Sequence, residues 1–488
     1  MRDTILSVLA AALVASGTAC GNLTEINTNP NGPVDVPPPS ILPSGIQRVV
    51  DVVDGVNSLN IRGGGLWVQY YSEIQYRDED KYIVRPGTSG GWELYASSPN
   101  ASGALEDFQR MIDKGVAANT PNWAAAGRIM KSYAFGAMTD AMGDIPYSEA
   151  LKGSANLTPK YDTQRDIYTA LFVDLTTASQ QIDPAGIGFA SGDLLYNGDM
   201  TKWRKFANSL RLRLAMHLTN RDAATAAAQA QAAVTAGVFQ SNADNATLLY
   251  LSVAPNQNPI YADAHVNNRD DYGLSKTYVD SLKSWNDPRL PVFAQVNKDT
   301  ILANRTYQGL PNGLNDGEGP ALFYISRIGS NWRETPNAPL SLMTYSEGLF
   351  LEAEAAERGW IAGSAATLYT NAIRASMEQY GIATAAIDAY VAQPRVVYAG
   401  GAAGLTQIAY QKWVSLYMQG MEAWTEVRRT GVPALVPGPR AVLTSIPERL
   451  PYEDQELVLN KANVDAAVSA QGFASSTDLK KPLWFTGR

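Results

Sequence analysis

The sequence predicts a mostly α-helical chain, built from antiparallel helical pairs and interrupted by long irregular stretches. Three observations lead there. Apolar residues recur at helical spacing through much of the chain. The 34 residues from Glu347 to Tyr380 hold two helical patterns split by a Gly-Ser turn, with small residues where the helices would cross. That is the length and texture of a tetratricopeptide-like unit. Residues 240–340, by contrast, are rich in Asn, Asp, Gly and Pro and carry aromatics scattered among polar positions.

Taken in order, the chain begins with Arg2, an uncharged apolar run from Ile5 to Ala15, and small residues up to Cys20. This is the order of a secretory signal peptide, residues 1–19, with Cys20 where a bacterial lipoprotein is acylated. The apolar run is too short to cross a bilayer. Residues 20–43 hold the segments NTNPNGP and VPPPSILP and read as an extended strap, because each proline pushes its predecessor away from helix. Residues 44–488 read as one domain. Helical patterns cover 44–57, 102–118, 121–142, 162–181, 199–219, 221–236, 343–359, 364–380 and 405–429. Asp199 and Thr201 offer N-caps and Gly237 a stop. The pair 199–219 and 221–236 repeats the design of 347–380, and such units bury their apolar faces by stacking on one another. Loop-rich stretches fall near 60–100, 240–340 and 430–456. Long irregular segments rich in aromatics point to function.

The bulk numbers narrow the function. Hydrophobic residues make up 45% of the 488, enough for a full core. A net charge of −8 without any Lys/Arg block excludes a nucleic-acid partner. A single cysteine leaves no intramolecular disulfide. Of the two histidines, His217 continues an apolar helical face with Trp203, Phe206, Leu210 and Leu214, as a core residue does. Glu352, Glu354, Glu357, Glu422 and Glu426 lie on helices near arginines, and Glu354 with Arg358 reads as an ordinary supporting pair. NGLNDGEG (312–319) lacks EF-hand spacing and Gly63–Gly65 lacks the Lys-Ser/Thr of a phosphate loop. No catalytic residue, metal site or cofactor is expected.

The aromatics carry the positive signal. Trp123, Trp203, Trp360, Trp413 and Trp424 have apolar neighbours at helical spacing and read as core, whereas Trp67, Trp92, Trp285, Trp332 and Trp484 lie in loop-like sequence. Flat rings beside amides, carboxylates and guanidinium groups suit a sugar ring, whose C–H face stacks while its hydroxyls find polar partners. The ligand-binding candidates are Trp67, Tyr70, Tyr76, Tyr82, Trp92, Tyr324 and Trp332.

Six segments in order resemble the SusD/RagB family of nutrient-binding outer-membrane lipoproteins. They are LTEINTNPNGPVDVPPPSILPSG (23–45), MGDIPYSEAL (142–151), GDLLYNGDMTKWRKFANSLRLRLA (192–215), TYSEGLFLEAEAAERGW (344–360), WVSLYMQGMEAWTEVRRTGVP (413–433) and ERLPYEDQELVLNKANV (448–464). The resemblance implies a tetratricopeptide-like scaffold packed against a loop-rich ligand-binding half. It also implies a lipid-anchored protein of the bacterial outer membrane, facing the cell surface. Such a protein would capture an oligosaccharide, without cleaving it, for a SusC-like TonB-dependent transporter. A peptide ligand and a helical-scaffold glycosidase are the alternatives.

Overall fold

The computed structural model describes residues 36–56, 58–84, 91–98 and 101–488. Cys20 and the signal segment therefore lie outside the described residues. The folded body starts at Pro38, with helix α1 (Pro38–Asp54), so the expected strap ends earlier than residue 43. Pro38 and Pro39 occupy the first turn, where a missing N–H is not needed. Pro43 does remove a helical hydrogen bond, but Leu42, Ile46, Val49, Val50 and Val53 bury the apolar face around it. Burying one such side chain contributes about 1.5–3 kcal/mol, enough to offset the loss.

Helices α2 (Ala104–Ala117), α3 (Pro121–Met142), α4 (Gln164–Gln181), α5 (Met200–His217) and α6 (Ala223–Ala236) follow, each packed on the next. Asp199 caps α5 through the N–H groups of Thr201 and Lys202, and Asp222 caps α6 through that of Thr225. Helices α7 (Tyr345–Glu357) and α8 (Ala365–Glu378) form the pair read from residues 347–380. Phe350 and Ala353 of α7 meet Tyr369, Ala372 and Ile373 of α8 in one apolar cluster. Small residues at the crossing let the two backbones approach.

The single helix expected over 405–429 is two, α9 (Gly401–Ser415) and α10 (Gly420–Thr430). The chain turns at Leu416–Gln419, with Met418 in the left-handed region at φ +73°. Burial decides the break: the Tyr417 hydroxyl donates to Phe293 O at 2.9 Å, which anchors the turn against residue 293. Last comes α11 (Lys461–Gln471). No helix among the described residues is long and apolar enough to cross a membrane.

Short antiparallel ribbons fix the irregular stretches. Residues 71–73 pair with 272–274, and 246–249 with 339–343. The segment Leu59–Gly65 rests on α10 backbone to backbone, and a Cβ on Gly64 would meet Gly420 O at 2.2 Å. Gly64→Ala is therefore expected to cost about 1–3 kcal/mol in chemical denaturation, the usual penalty of overpacking. An unchanged midpoint would show that this contact has room to give.

Candidate functional site

The aromatic group proposed from sequence divides on folding. Trp67, Tyr70 and Tyr82 belong to the interior, with exposures of 0%, 0% and 2%, and offer no face to a ligand. The Trp67 indole donates to Glu79 O at 3.2 Å, and its ring lies 4.7 Å from that of Trp424. Tyr70 donates to Trp413 O and joins a buried ladder of rings. From Tyr70 the ladder runs to Tyr278 at 4.8 Å, then Tyr417 at 5.4 Å and Phe293 at 4.5 Å. Burying these loop rings removes far more apolar surface from water than leaving them out, which is why loop sequence did not mean exposure. Trp92 is half-buried against Tyr95 and Tyr161, apart from Trp67. Tyr324 is exposed beside Phe323, their rings 4.1 Å apart.

The remaining two candidates, Trp332 and Tyr76, line separate clefts. The Trp332 cleft has a volume of about 570 Å³, within the usual range for small-molecule sites. A short helix, Ser330–Arg333, delivers Asn331 and Trp332. The ribbon 246–249/339–343 supplies Thr247 and Ser341, whose hydroxyls lie 2.8 Å apart. The end of α8 supplies Gln379 and Tyr380, and the break before α10 supplies Tyr417, Met418 and Gln419. Trp332 packs on Tyr417 at 5.5 Å and Tyr380 at 5.7 Å, so the ladder ends as the cleft wall. Tyr380, Tyr417 and Gln419 had no signal in the sequence beyond their residue type, because an unforeseen helix break or helix end presents them.

No lining residue of this cleft is charged, yet it holds polar atoms without partners. Asn242 donates through Nδ2 to Ala375 O at 3.0 Å, which leaves its Oδ1 unpaired. Gln379 accepts on Oε1 from Asn245 at 3.5 Å, which leaves its Nε2 unpaired. Gln419, only 4% exposed, has an unpaired Oε1. A buried amide atom left unsatisfied costs about 1–3 kcal/mol, and all three belong to residues that line the cleft. Beside these atoms the half-buried Tyr380 supplies ring surface, and Trp332, 4% exposed, backs it within the wall.

The Tyr76 cleft, about 460 Å³, differs in character. Tyr76 is 64% exposed and sits at φ +56°, with the Arg269 guanidinium 5.2 Å from its ring. Glu73, Glu79, Asp271, Arg62 and Arg77 surround it. Burial, with Asp80 and Glu79 alongside, pushes the Glu73 carboxyl well above the usual carboxylate range, and it accepts the Asp80 N–H at 3.0 Å. Arg62 pairs with Glu79 at 2.8 Å. This density of charge suits a neutral glycan less well than the Trp332 cleft does.

His217, Glu422 and Glu426 are the one group among the described residues that brings three potential metal-ligand atoms together. Their surroundings oppose a cation. His217 bridges Asp140 and Glu422 at 3.0 Å each, Arg213 reaches Glu422 at 3.5 Å, and Lys412 holds Glu426 at 2.5 Å. Burial acts to lower the His217 pKa, but Glu422 and Asp140 outweigh it and push it up to about 10. A protonated imidazole among arginines and a lysine is an ion-pair network. His217 is buried as expected, but among charges rather than in an apolar face. Glu354 is corrected likewise: beyond its pair with Arg358 it is buried against Arg429.

The family described as starch-binding and associating with the outer membrane matches residues 34–453. The chain belongs to the SusD-like family. This SusD-like protein has the fold of solved relatives over nearly its whole length. A chitin-binding protein is 30% identical with a TM-score of 0.79, covering 92% of this chain and 99% of its own. A SusD homologue from Bacteroides fragilis is 26% identical with a TM-score of 0.80, covering 93% and 100%. A chitin-binding SusD homologue from Flavobacterium johnsoniae is 25% identical with a TM-score of 0.75, covering 91% and 98%. No curated protein matches by sequence. Membership makes this SusD-like chain one of a family of nutrient-binding, outer-membrane-associated proteins rather than enzymes.

Proposed function

We propose that this protein captures a neutral oligosaccharide in the Trp332 cleft and passes it to a SusC-like TonB-dependent transporter, held at the outer membrane by acyl groups on Cys20. The observation that carries the ligand is the cleft's lining: three aromatic residues, several amides and hydroxyls, no charge, and three residues with a polar atom that has no partner. A sugar supplies matching chemistry on both counts, with an apolar face for the half-buried Tyr380 and hydroxyls that both donate and accept. The description of two structural relatives as chitin-binding makes N-acetylglucosamine oligomers the first ligands to try.

Calorimetric titration with chito-oligosaccharides, malto-oligosaccharides and short peptides tests the reading. Saturable binding of a glycan is expected, with no cleavage product. Gln379→Ala and Asn242→Ala should each weaken it about tenfold, since a lost hydrogen bond to a buried amide is worth about 1–3 kcal/mol. Preference for peptides would replace the ligand class, and silence toward all three would defeat the proposal. Co-purification with a TonB-dependent transporter tests delivery, and mass spectrometry of the mature N-terminus tests acylation.

A further inference from the structure

A third cleft, of about 570 Å³, opens between the first turn of α4, the end of α11 and the segment Lys481–Trp484. Its charge runs opposite to that of the whole chain. Arg165, Arg221, Lys481 and Arg488 line it against only Asp144 and Asp166, while the protein carries a net −8. Two of the cations are already engaged. Arg488 pairs with Glu448 at 2.7 Å, and Arg165 has Asp166 at 3.9 Å in an exposed setting. Arg221 and Lys481 form no ion pair among the described residues.

The cleft also has an aromatic wall. Trp484 is half-buried, its ring 6.2 Å from that of Tyr168, with the Arg221 guanidinium 5.3 Å from its centroid. Gln164 is uncharged and its side chain is bonded to Thr139 O and the Phe485 N–H, while Asp144, which accepts the Gln164 N–H at 2.8 Å, is outnumbered by the four cations of the lining. An unpaired guanidinium held beside an indole face, with an unpaired ammonium on the same cleft, suits a ring that bears an anion. The anion meets Arg221 and Lys481, and the ring lies along the Trp484 wall of the cleft, where Arg221 already covers part of the indole.

We infer that this cleft is a second ligand site, taking a sugar ring that carries a carboxylate, of the uronic-acid type. It is lined by other residues than the Trp332 cleft and does not depend on the reading given there.

Titration of the intact protein with glucuronic acid, and with glucose as the uncharged control, tests the inference by calorimetry at low and at physiological salt. Saturable binding of glucuronate is expected, with glucose at least tenfold weaker and the difference shrinking as salt rises. Arg221→Ala and Lys481→Ala replace exposed side chains outside the core, and each should weaken glucuronate at least fivefold while leaving glycan binding at the Trp332 cleft unchanged. Glucuronate binding that is absent, that glucose equals, or that survives both substitutions would overturn the site. Galactose 6-sulfate is a further arm: binding tenfold tighter than glucuronate would likewise replace carboxylate with sulfate and overturn the ligand class.

Discussion

Replacement of Arg429 by methionine is expected to lower the free energy of unfolding by about 3–5 kcal/mol, the usual cost of removing one partner from a buried pair. Arg429 is 3% exposed. Its guanidinium takes Glu354 of α7 in a two-point grip at 2.7 and 2.6 Å. It also reaches Glu426 at 3.0 and 2.6 Å, and Thr219 just beyond α5 at 2.8 Å. Although burial opposes the charged forms, Arg429 and Lys412 hold Glu426 well below the usual carboxylate range, and Arg429 does the same for Glu354. Methionine keeps the volume and leaves those carboxylates without their main counter-charge. Urea unfolding measures the loss, which should appear in the midpoint with little change in slope. Adding Glu354→Met should restore part of it, because a well-packed apolar replacement of a buried pair is often nearly neutral. A single-variant loss below about 1 kcal/mol would show that water reaches the network.

His217 should make stability depend on alkaline pH. Its folded-state pKa, near 10, lies above the ordinary value of 6.5 because Glu422 and Asp140 flank it, despite the opposing effect of burial. The folded state therefore holds this proton more tightly than the unfolded chain. The stabilisation is complete below about pH 6.5, falls as pH rises from there because the unfolded imidazole gives up its proton while the folded one still holds it, and is gone once pH passes 10. His217→Gln should cost about 3–5 kcal/mol at pH 6, as expected for breaking a buried charged network, and much less at pH 10.5. Urea midpoints for both proteins across that range decide the matter. Parallel curves would mean that the imidazole is neutral throughout.

Much of the scaffold was legible because local signals sufficed. Asp199 sits where a cap belongs, and the small residues of the Glu347–Tyr380 unit sit at the helix crossing. The failures have non-local causes. Leu416–Gln419 holds no proline and no glycine, and Gly420 beside it is too weak a signal to end a helix by itself. The turn exists because Tyr417 is anchored against the distant Phe293. Glu354 reads as a surface partner of Arg358 until Arg429, 75 positions on, arrives from another helix. Trp67, Tyr70 and Tyr82 are buried for a related reason. The segment around Trp67 has the polar texture of a loop, but loop sequence does not say which side of the loop faces the core. Trp332 is brought to a cleft by the ribbon and the helix end beside it, which a one-dimensional reading does not pair.

The Trp332 cleft draws its floor from the ends of packed helices and its rim from the 240–340 stretch. A sugar bound there would act as a clasp between the helical frame and the irregular collar. Changes along the collar could then retune which nutrient is accepted while the frame, and whatever docks on it, stays the same.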